Sequence, residues 1–302
     1  MTVQKNVEDR TDSPVPSAMF RGIEAGGSLA PASIAVAAEE LGVKKASSDT
    51  LTLLALAILA GAFIGLGTMF ATTVVAGAEG LLPYGVIRLL AGVTFSLGLI
   101  LVLIGGAQLF TGDMLMVMAW ASKRLKTGAM VKVWATVWFG NFIGGVGTAA
   151  LVFLSGQYSF GGGAIGATAL HYAEAKAALP FGQAFALGIL CNVLVCLAVW
   201  LTLAGRTVTD RIVAIIFPVA AFVAAGFEHC VANMYYLSFG LFISWWAPDS
   251  FWTAYGHQPS IPMSGVLNNL IAVTAGNWVG GALLVGGVYW FIYRRPGLPE
   301  HH

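Results

Sequence analysis

The chain has 302 residues, of which 58% are hydrophobic and only 10% are charged, and this is the composition of an integral membrane protein. Its formal net charge is +1 and its basic residues are scattered over loops, which excludes a basic stripe for nucleic acid. The three cysteines lie in apolar stretches without metal-ligand spacing, which excludes a disulfide framework and a zinc site.

The N-terminal part is predicted to lie outside the bilayer. Residues 1–27 carry prolines and charges without an apolar core, so they predict a flexible tail rather than a signal peptide. Residues 28–46 predict a helix on the cytoplasmic surface with Pro31 in its first turn, and a solvated leader helix is the alternative. Asp49 is the expected N-cap of the first membrane span, and residues 297–302 are expected to form a C-terminal tail.

Residues 47–296 are predicted to form the transmembrane domain. Apolar stretches long enough to cross a bilayer of about 30 Å lie near 51–78, 81–121, 128–156, 180–205, 211–247 and 261–293. Six crossings place both termini on one side, and that side holds 13 of the 15 Lys and Arg residues, all but Arg88 and Lys176. By the positive-inside rule, we expect cytoplasmic termini and a location in the plasma (inner) membrane.

The second and fifth spans are each predicted to be broken. Residues 81–121 are too long for one crossing, and the part after Gly112 is too short to cross alone, so the helix breaks between Gly105 and Asp113. We expect Asp113 to cap the restarted half. In the fifth span, the run GFEHC at 226–230 is the corresponding break.

A duplicated motif relates the two halves of the chain. GNFIGG at 140–145 resembles GNWVGG at 276–281, and each contains two glycines four residues apart, which is the pattern of close helix packing. Two packing motifs and two broken helices predict an all-α fold of six transmembrane helices in an inverted 3+3 repeat, with helices 2 and 5 broken at mid-membrane. In such folds the solute path lies between the repeats.

The residues around the breaks are candidates for a solute path. Half-helix N-termini favour an anion there, because each carries about half a positive charge. His229 is the candidate functional residue, since an ionisable group in a membrane span marks function. Glu228, with Asn233, is interpreted chiefly as support for the broken helix, its carboxylate accepting free backbone N–H groups. Candidate constrictions, for which core packing is the alternative, are Phe95, Leu99, Leu109, Phe110, Val195 and Phe222.

Several segments carry a family resemblance: GFEHCVANMYYL (226–237), FSLGLILVLIGGAQLFTGD (95–113), GILCNVLVCLAVWL (188–201), TDRIVAIIFPVAAFVAAG (209–226) and NNLIAVTAGNWVGGALLVG (268–286). They resemble the formate/nitrite transporter family over about residues 30–295. Within the family, GAQLFTG is most similar to formate channels. The resemblance implies an aquaporin-like protomer in a homopentamer, each protomer having its own pore for a small monovalent anion.

The resemblance also implies roles for single residues. His229 matches the central pore histidine, Thr111 the threonine of the second-helix loop, Asn192 the asparagine near that histidine, and Lys176 a vestibule lysine that attracts anions. The candidate constrictions match two narrowings, one of Leu99, Leu109 and Val195 and the other of Phe95 and Phe222. Two positions depart from the common pattern, Cys230 from serine and Ala272 from proline.

The function that follows is transport of a small weak-acid anion, with formate ranked before nitrite and hydrosulfide. At the entrance of the path the dielectric constant falls, and this favours the neutral acid, which crosses the apolar constrictions. The proton comes either from His229 or from bulk solvent. A formate/proton symporter is one alternative. An aquaporin-like channel for neutral solutes is another, of a different class, although paired Asn-Pro-Ala loops are absent. Arg88 contacts either the outer end of the pore or lipid headgroups.

Enzymatic activity is not expected. The sequence contains no HExxH, no GxSxG and no pair of intramembrane aspartates, so it offers neither a nucleophile with its base nor a metal cluster. We therefore expect no cofactor and no metal. The expected partners are the anion, the lipid bilayer and further copies of the chain.

Overall fold

The computed structural model describes residues 28–255 and 258–296, and its regular elements are helices. The two predicted tails, 1–27 and 297–302, lie outside these residues. In chain order the helices are α1 (Pro31–Ala46), α2 (Thr50–Val75), α3 (Tyr84–Gly105), a 3-10 turn (Gly112–Met116), α4 (Val117–Ala121), α5 (Thr127–Leu154), a short 3-10 turn (Gln157–Ser159), α6 (Ala164–Ala177), α7 (Phe181–Ala204), α8 (Val208–Ala224), α9 (Cys230–Trp246), α10 (Asp249–Tyr255), α11 (Met263–Trp278), a π-helical stretch (Val279–Gly287) and α12 (Val288–Tyr293).

Several helices are long and apolar enough to cross a membrane. They are Thr50–Val75, Tyr84–Gly105, Thr127–Leu154, Phe181–Ala204 and the continuous run Met263–Tyr293. The predicted crossing near 211–247 corresponds to two helices of 17 residues each, α8 and α9. The chain is therefore a multi-pass membrane protein.

The helix α1 packs against the protein. It begins at Pro31, as the sequence predicts, and buries one face that includes Glu39. The Glu39 carboxylate accepts hydrogen bonds from Arg294 Nε at 3.1 Å and Arg124 Nη1 at 3.4 Å, and also from the Ser122 hydroxyl. The alternative of a solvated leader helix is therefore wrong for these residues.

The start of α2 is fixed by its first side chain. The Asp49 carboxylate accepts from the backbone N–H of Leu51 at 3.1 Å and of Thr52 at 2.9 Å, which confirms the predicted N-cap. The hydrogen bonds from Thr52 lower the pKa of this exposed carboxyl.

Glycines bring two pairs of helices together. A Cβ added at Gly144 would lie 2.0 Å from the Ile58 carbonyl oxygen, so α5 and α2 touch through their backbones. A Cβ at Gly280 would lie 2.2 Å from the Ile189 carbonyl oxygen, which places the π-helical stretch equally close to α7. Both distances are far below van der Waals contact, and they confirm the packing interpretation of the duplicated glycine motif.

Candidate solute path

Two short segments without helical structure lie at the centre of the site. The first linker, residues 106–111, joins α3 to the 3-10 turn at Gly112–Met116, and the second linker, residues 225–229, joins α8 to α9. Each contains a glycine in the left-handed region, Gly106 at φ 82° and Gly226 at φ 76°, which side chains rarely adopt.

The helices before the two linkers end in the same way. The N–H of Ala107 donates to Val102 O, and the N–H of Phe227 donates to Phe222 O, each at 2.9 Å. These bonds span five residues and follow a left-handed glycine, which is the Schellman pattern of a helix C-terminus. The sequence therefore stops both helices abruptly and leaves the following backbone groups in need of partners.

A buried asparagine of α5 supplies those partners for the first linker. Asn141 Oδ1 accepts from the backbone N–H of Phe110 at 2.9 Å. Its Nδ2 donates to Gln108 O at 2.9 Å and to Ala57 O of α2 at 2.7 Å. One amide thus satisfies three backbone groups and ties the linker to two helices.

Asn277 of α11 does the same for the second linker. Its Oδ1 accepts from the backbone N–H of Cys230 at 2.9 Å, and its Nδ2 donates to Glu228 O at 2.9 Å and to Gly188 O of α7 at 2.7 Å. The duplicated motif predicts close packing through its glycines, whereas the role of the two asparagines was not predicted. The signal was present, because each motif begins with Gly-Asn, at 140–141 and 276–277.

The two linkers meet through Thr111 and His229. Thr111 Oγ1 lies 3.0 Å from His229 Nε2, and both side chains are buried. His229 Nδ1 accepts from the backbone N–H of Ala232 at 3.1 Å, so the imidazole also caps α9. Because Nδ1 accepts a hydrogen bond it carries no proton, and Nε2 of the neutral ring therefore donates to Thr111.

Asn192 of α7 contacts the first linker rather than the histidine ring. Its Nδ2 donates to Thr111 O at 3.2 Å and to Asn277 O at 2.6 Å. The structure therefore places Asn192 next to Thr111, as part of the same buried cluster, where it positions the threonine backbone.

Glu228 is held by side chains. Its Oε1 lies 2.6 Å from Lys176 Nζ, and its Oε2 accepts from Asn233 Nδ2 at 2.6 Å and from Asn269 Nδ2 at 3.3 Å. The expectation that this carboxylate accepts free backbone N–H groups is wrong, because Asn277 already occupies the neighbouring backbone groups. Glu228 instead ties the second linker to α6, α9 and α11.

Asp113 has a comparable ion pair beside the first linker. Its Oδ1 lies 2.5 Å from Lys45 Nζ of α1, and its side chain is fully buried. Within the described residues its second oxygen has no hydrogen-bond partner, and the 3-10 turn that contains it has no side-chain cap. The predicted capping role of Asp113 is therefore wrong, since the carboxylate is turned toward α1.

The two aromatic residues predicted to form a constriction lie against the histidine. The rings of Phe95 and Phe222 meet edge to face with centroids 5.7 Å apart, and their centroids lie 6.5 Å and 6.0 Å from that of His229. Leu99, Leu109 and Val195 are also buried, in the hydrophobic core.

Phe110 lies beside an apolar groove. It lines an apolar groove of about 1130 Å³ with Trp134 and Trp138, whereas the cavity that contains His229 does not include it. Because Asn141 fixes its backbone from the α5 side, Phe110 belongs to the face formed by α5, α9 and α11. Its assignment as a constriction stays a prediction.

The space on the two sides of the Thr111–His229 pair differs. On one side a cavity of about 380 Å³, here named the funnel, is lined among others by Arg88, Phe95, Lys176, Phe222, Glu228 and His229. On the other side a cavity of about 10 Å³ remains between α1, the turn at Gly112–Met116 and α7, and Lys45 lines it. Within residues 28–255 and 258–296, no group of three His, Cys, Asp or Glu side chains could hold a metal ion.

Comparison with known proteins shows which family the chain resembles. The family model of the formate/nitrite transporters matches residues 32–291. The formate channel FocA of Escherichia coli (strain K12) is 44% identical over 279 residues, which cover 91% of this chain and 97% of the relative. The nitrite transporter NirC of the same strain is 33% identical over 246 residues, covering 80% of this chain and 83% of NirC.

A solved structure supports the same assignment. A pentameric formate channel with formate bound superposes with a TM-score of 0.76 at 43% sequence identity, covering 82% of this chain and 98% of that one. The family is one of transporters and channels rather than enzymes. The chain belongs to the formate/nitrite transporter family.

Proposed function

We propose that this protein is a membrane channel for formate, with one path through each protomer that passes the Thr111–His229 pair. The observation that carries the proposal is the funnel of about 380 Å³, which leads to His229 between the rings of Phe95 and Phe222. The formate channels among the relatives support the choice of anion, and the similarity to a pentameric channel supports a homopentamer.

We further propose that the two linkers interrupt two of six membrane crossings, in an inverted 3+3 repeat. Support comes from the matched glycines that end α3 and α8 and from the matched asparagines that hold the linkers. The termini are proposed to be cytoplasmic, because 13 of the 15 Lys and Arg residues lie on their side. The funnel then opens to the outside, where Lys176 lies.

The path favours a neutral solute at its narrowest part. An anion between Phe95 and Phe222 would lose its hydration without gaining a full charge partner, at a cost of several kcal/mol. Formic acid avoids this cost, because it carries no charge and can both donate and accept a hydrogen bond. Thr111 and His229 offer a hydroxyl and a ring N–H to such a solute.

The proton is proposed to come from bulk solvent as the anion enters the funnel. Protonating His229 would place a second proton on Nδ1, and this would break the bond from the Ala232 N–H that caps α9. The neutral ring therefore acts as a hydrogen-bond donor through Nε2. Lys176, which is already paired with Glu228, contributes further N–H donors at the funnel wall.

The function is tested by uptake into liposomes that contain the purified protein. We expect formate to enter faster than into empty liposomes, with a rate that rises as the external pH falls, because more of the anion is then converted to the acid. A His229→Phe variant should transport more slowly. Transport no faster than through empty liposomes would refute the channel, and a wild-type rate in His229→Phe would refute the role of the histidine.

Two further measurements separate the alternatives. The reversal potential under opposed formate and proton gradients distinguishes a passive anion channel, which follows formate alone, from a symporter, which follows both gradients. Nitrite is the second candidate substrate, because NirC is 33% identical, and hydrosulfide is the third. Osmotic swelling with water but without formate uptake would instead indicate an aquaporin-like channel.

A further inference from the structure

The charges that line the funnel do not cancel. Lys176 and Glu228 form an ion pair with an Nζ–Oε1 distance of 2.6 Å, so together they contribute no net charge. His229 is held neutral by its two hydrogen bonds. Arg88 is the remaining charged side chain among the described residues that line this cavity, and it makes no ion pair with any of them.

Backbone carbonyl groups hold Arg88 in place. Its Nε donates to Ala224 O at 3.4 Å, and its Nη2 donates to Val223 O. Both carbonyls belong to the last turn of α8, where the helix dipole is negative, so the cation is stabilised there without a carboxylate. A guanidinium carries five N–H groups, and these two bonds leave three of them for another acceptor.

Arg88 also lies where two cavities meet. It lines the funnel and a second cavity of about 560 Å³, whose wall includes Glu79, His171 and Tyr172. Glu79 is close enough to line that cavity, yet it forms no ion pair with Arg88 within residues 28–255 and 258–296. The guanidinium is therefore partly buried and fixed, and no carboxylate of the described residues forms an ion pair with it.

We propose that Arg88 is a specificity-determining residue that binds the carboxylate or nitrite anion in the funnel before it reaches Phe95 and Phe222. This inference rests on the proposed function. The planar guanidinium fork can donate two parallel hydrogen bonds to two oxygens that are bound to the same atom. It therefore favours formate and nitrite over a spherical anion such as chloride. Lys176 cannot replace it, because its charge is already neutralised by Glu228.

The test compares two substitutions that separate charge from hydrogen bonding. Arg88→Gln keeps donors for the carbonyls of α8 but removes the charge, and Arg88→Lys keeps the charge but loses the fork. Uptake into liposomes is measured against formate concentration. We expect the half-saturating concentration to rise about fivefold in Arg88→Gln, as expected for loss of one partly screened charge at short range. The maximal rate should stay close to that of the unmodified protein.

The Lys variant and a matched control complete the comparison. In Arg88→Lys, the concentration of chloride that halves formate uptake should stay close to that of the unmodified protein, because the charge is kept. The preference for formate over chloride should fall, because the fork is lost. Arg211→Gln is the control, because Arg211 lies at the other end of α8 and its Nε likewise donates to a backbone carbonyl, Gly205 O at 3.2 Å. This variant should not change either quantity.

A merely structural role would give a different pattern. It would lower the thermal stability and the maximal rate for all solutes, and it would not depend on ionic strength. In our proposal, added salt raises the half-saturating concentration of the unmodified protein and has little effect on Arg88→Gln. If Arg88→Gln does not fold, the salt dependence of the unmodified protein still tests the proposal. A half-saturating concentration that does not change with salt would overturn the proposal.

The results distinguish this inference from the proposed function. If the unmodified protein moves no formate or nitrite, the proposed function fails and the inference fails with it. If it transports formate and Arg88→Gln has an unchanged half-saturating concentration, only the role of Arg88 is refuted.

Discussion

The first and second linkers share a scaffold and differ in the chemistry they present. Each follows a left-handed glycine and is held by one buried asparagine that bonds three backbone groups. The first linker presents the hydroxyl of Thr111, and the second presents the imidazole of His229. Because a neighbouring helix satisfies the backbone, the side chains of Thr111 and His229 are left to contact each other.

The ion pairs beside the linkers mark a second difference. Glu228 has Asn233 and Asn269 as donors in addition to Lys176, whereas in the described part of the chain Asp113 has Lys45 alone as a side-chain donor. The carboxylate near the funnel is thus embedded in a network, and the carboxylate near α1 depends on one partner.

The largest effect should come from removing the asparagines. Asn141→Ala and Asn277→Ala each leave two buried backbone groups at a linker without partners, at about 1–3 kcal/mol per group, and each also removes a bond to a carbonyl inside a neighbouring helix. We expect both variants to lose most of their folded protein, as measured by thermal unfolding in detergent. Asn268→Ala is the control, since Asn268 makes one bond, to Leu179 O at 3.0 Å. A large loss for one asparagine alone would contradict the shared scaffold.

The lysine partners should reveal the difference between the two carboxylates. Lys45→Met leaves Asp113 buried without a side-chain donor, and we expect a loss of about 3 kcal/mol. Lys176→Met leaves Glu228 with two amide donors, so we expect a clearly smaller loss. Chemical unfolding of the two variants side by side gives the comparison. Equal losses would show that the amides around Glu228 do not compensate for the missing cation.

Glycine substitutions test the helix contacts that support the linkers. A Cβ at Gly144 would overlap Ile58 O, and a Cβ at Gly280 would overlap Ile189 O, so Gly144→Ala and Gly280→Ala should each cost about 1–3 kcal/mol. Gly147→Ala on the same helix as Gly144 is the control, because nothing lies within 4 Å of its Cβ position. Unfolding midpoints of the three variants are compared, and a control as unstable as Gly144→Ala would refute the packing explanation.

The smallest effect on stability is expected at Thr111. Thr111→Val keeps the shape of the side chain and removes the hydroxyl that accepts from His229, at a cost of about 1 kcal/mol. Thr111→Ser keeps the hydroxyl. Formate uptake should therefore fall in the valine variant and persist in the serine variant. Equal uptake by both variants would show that transport does not depend on the hydroxyl.

The sequence predicts the features that depend on bilayer thickness and local pattern. The long apolar helices, the N-cap at Asp49 and the close packing at Gly144 and Gly280 follow from length, capping chemistry and glycine spacing. The resemblance to the family identified Thr111 and His229 as residues of one site, and the structure places them in contact.

The remaining features depend on contacts between distant segments. Lys45 and Asp113 are 68 residues apart in the chain, and no local pattern relates them. The same holds for Arg88 and the carbonyls of α8, which are 135 and 136 residues apart. The side-chain partners of Glu228 are also not predictable from a local pattern, because they come from three separate helices.

The buried Glu39 has a consequence for the order of events during synthesis. Its partner Arg294 follows 255 residues later in the chain, after the last long apolar segment. Until then, the side-chain partners of this carboxylate among the described residues are Ser122 and Arg124. The full set of partners of Glu39 therefore forms only after the C-terminal helix has been synthesised.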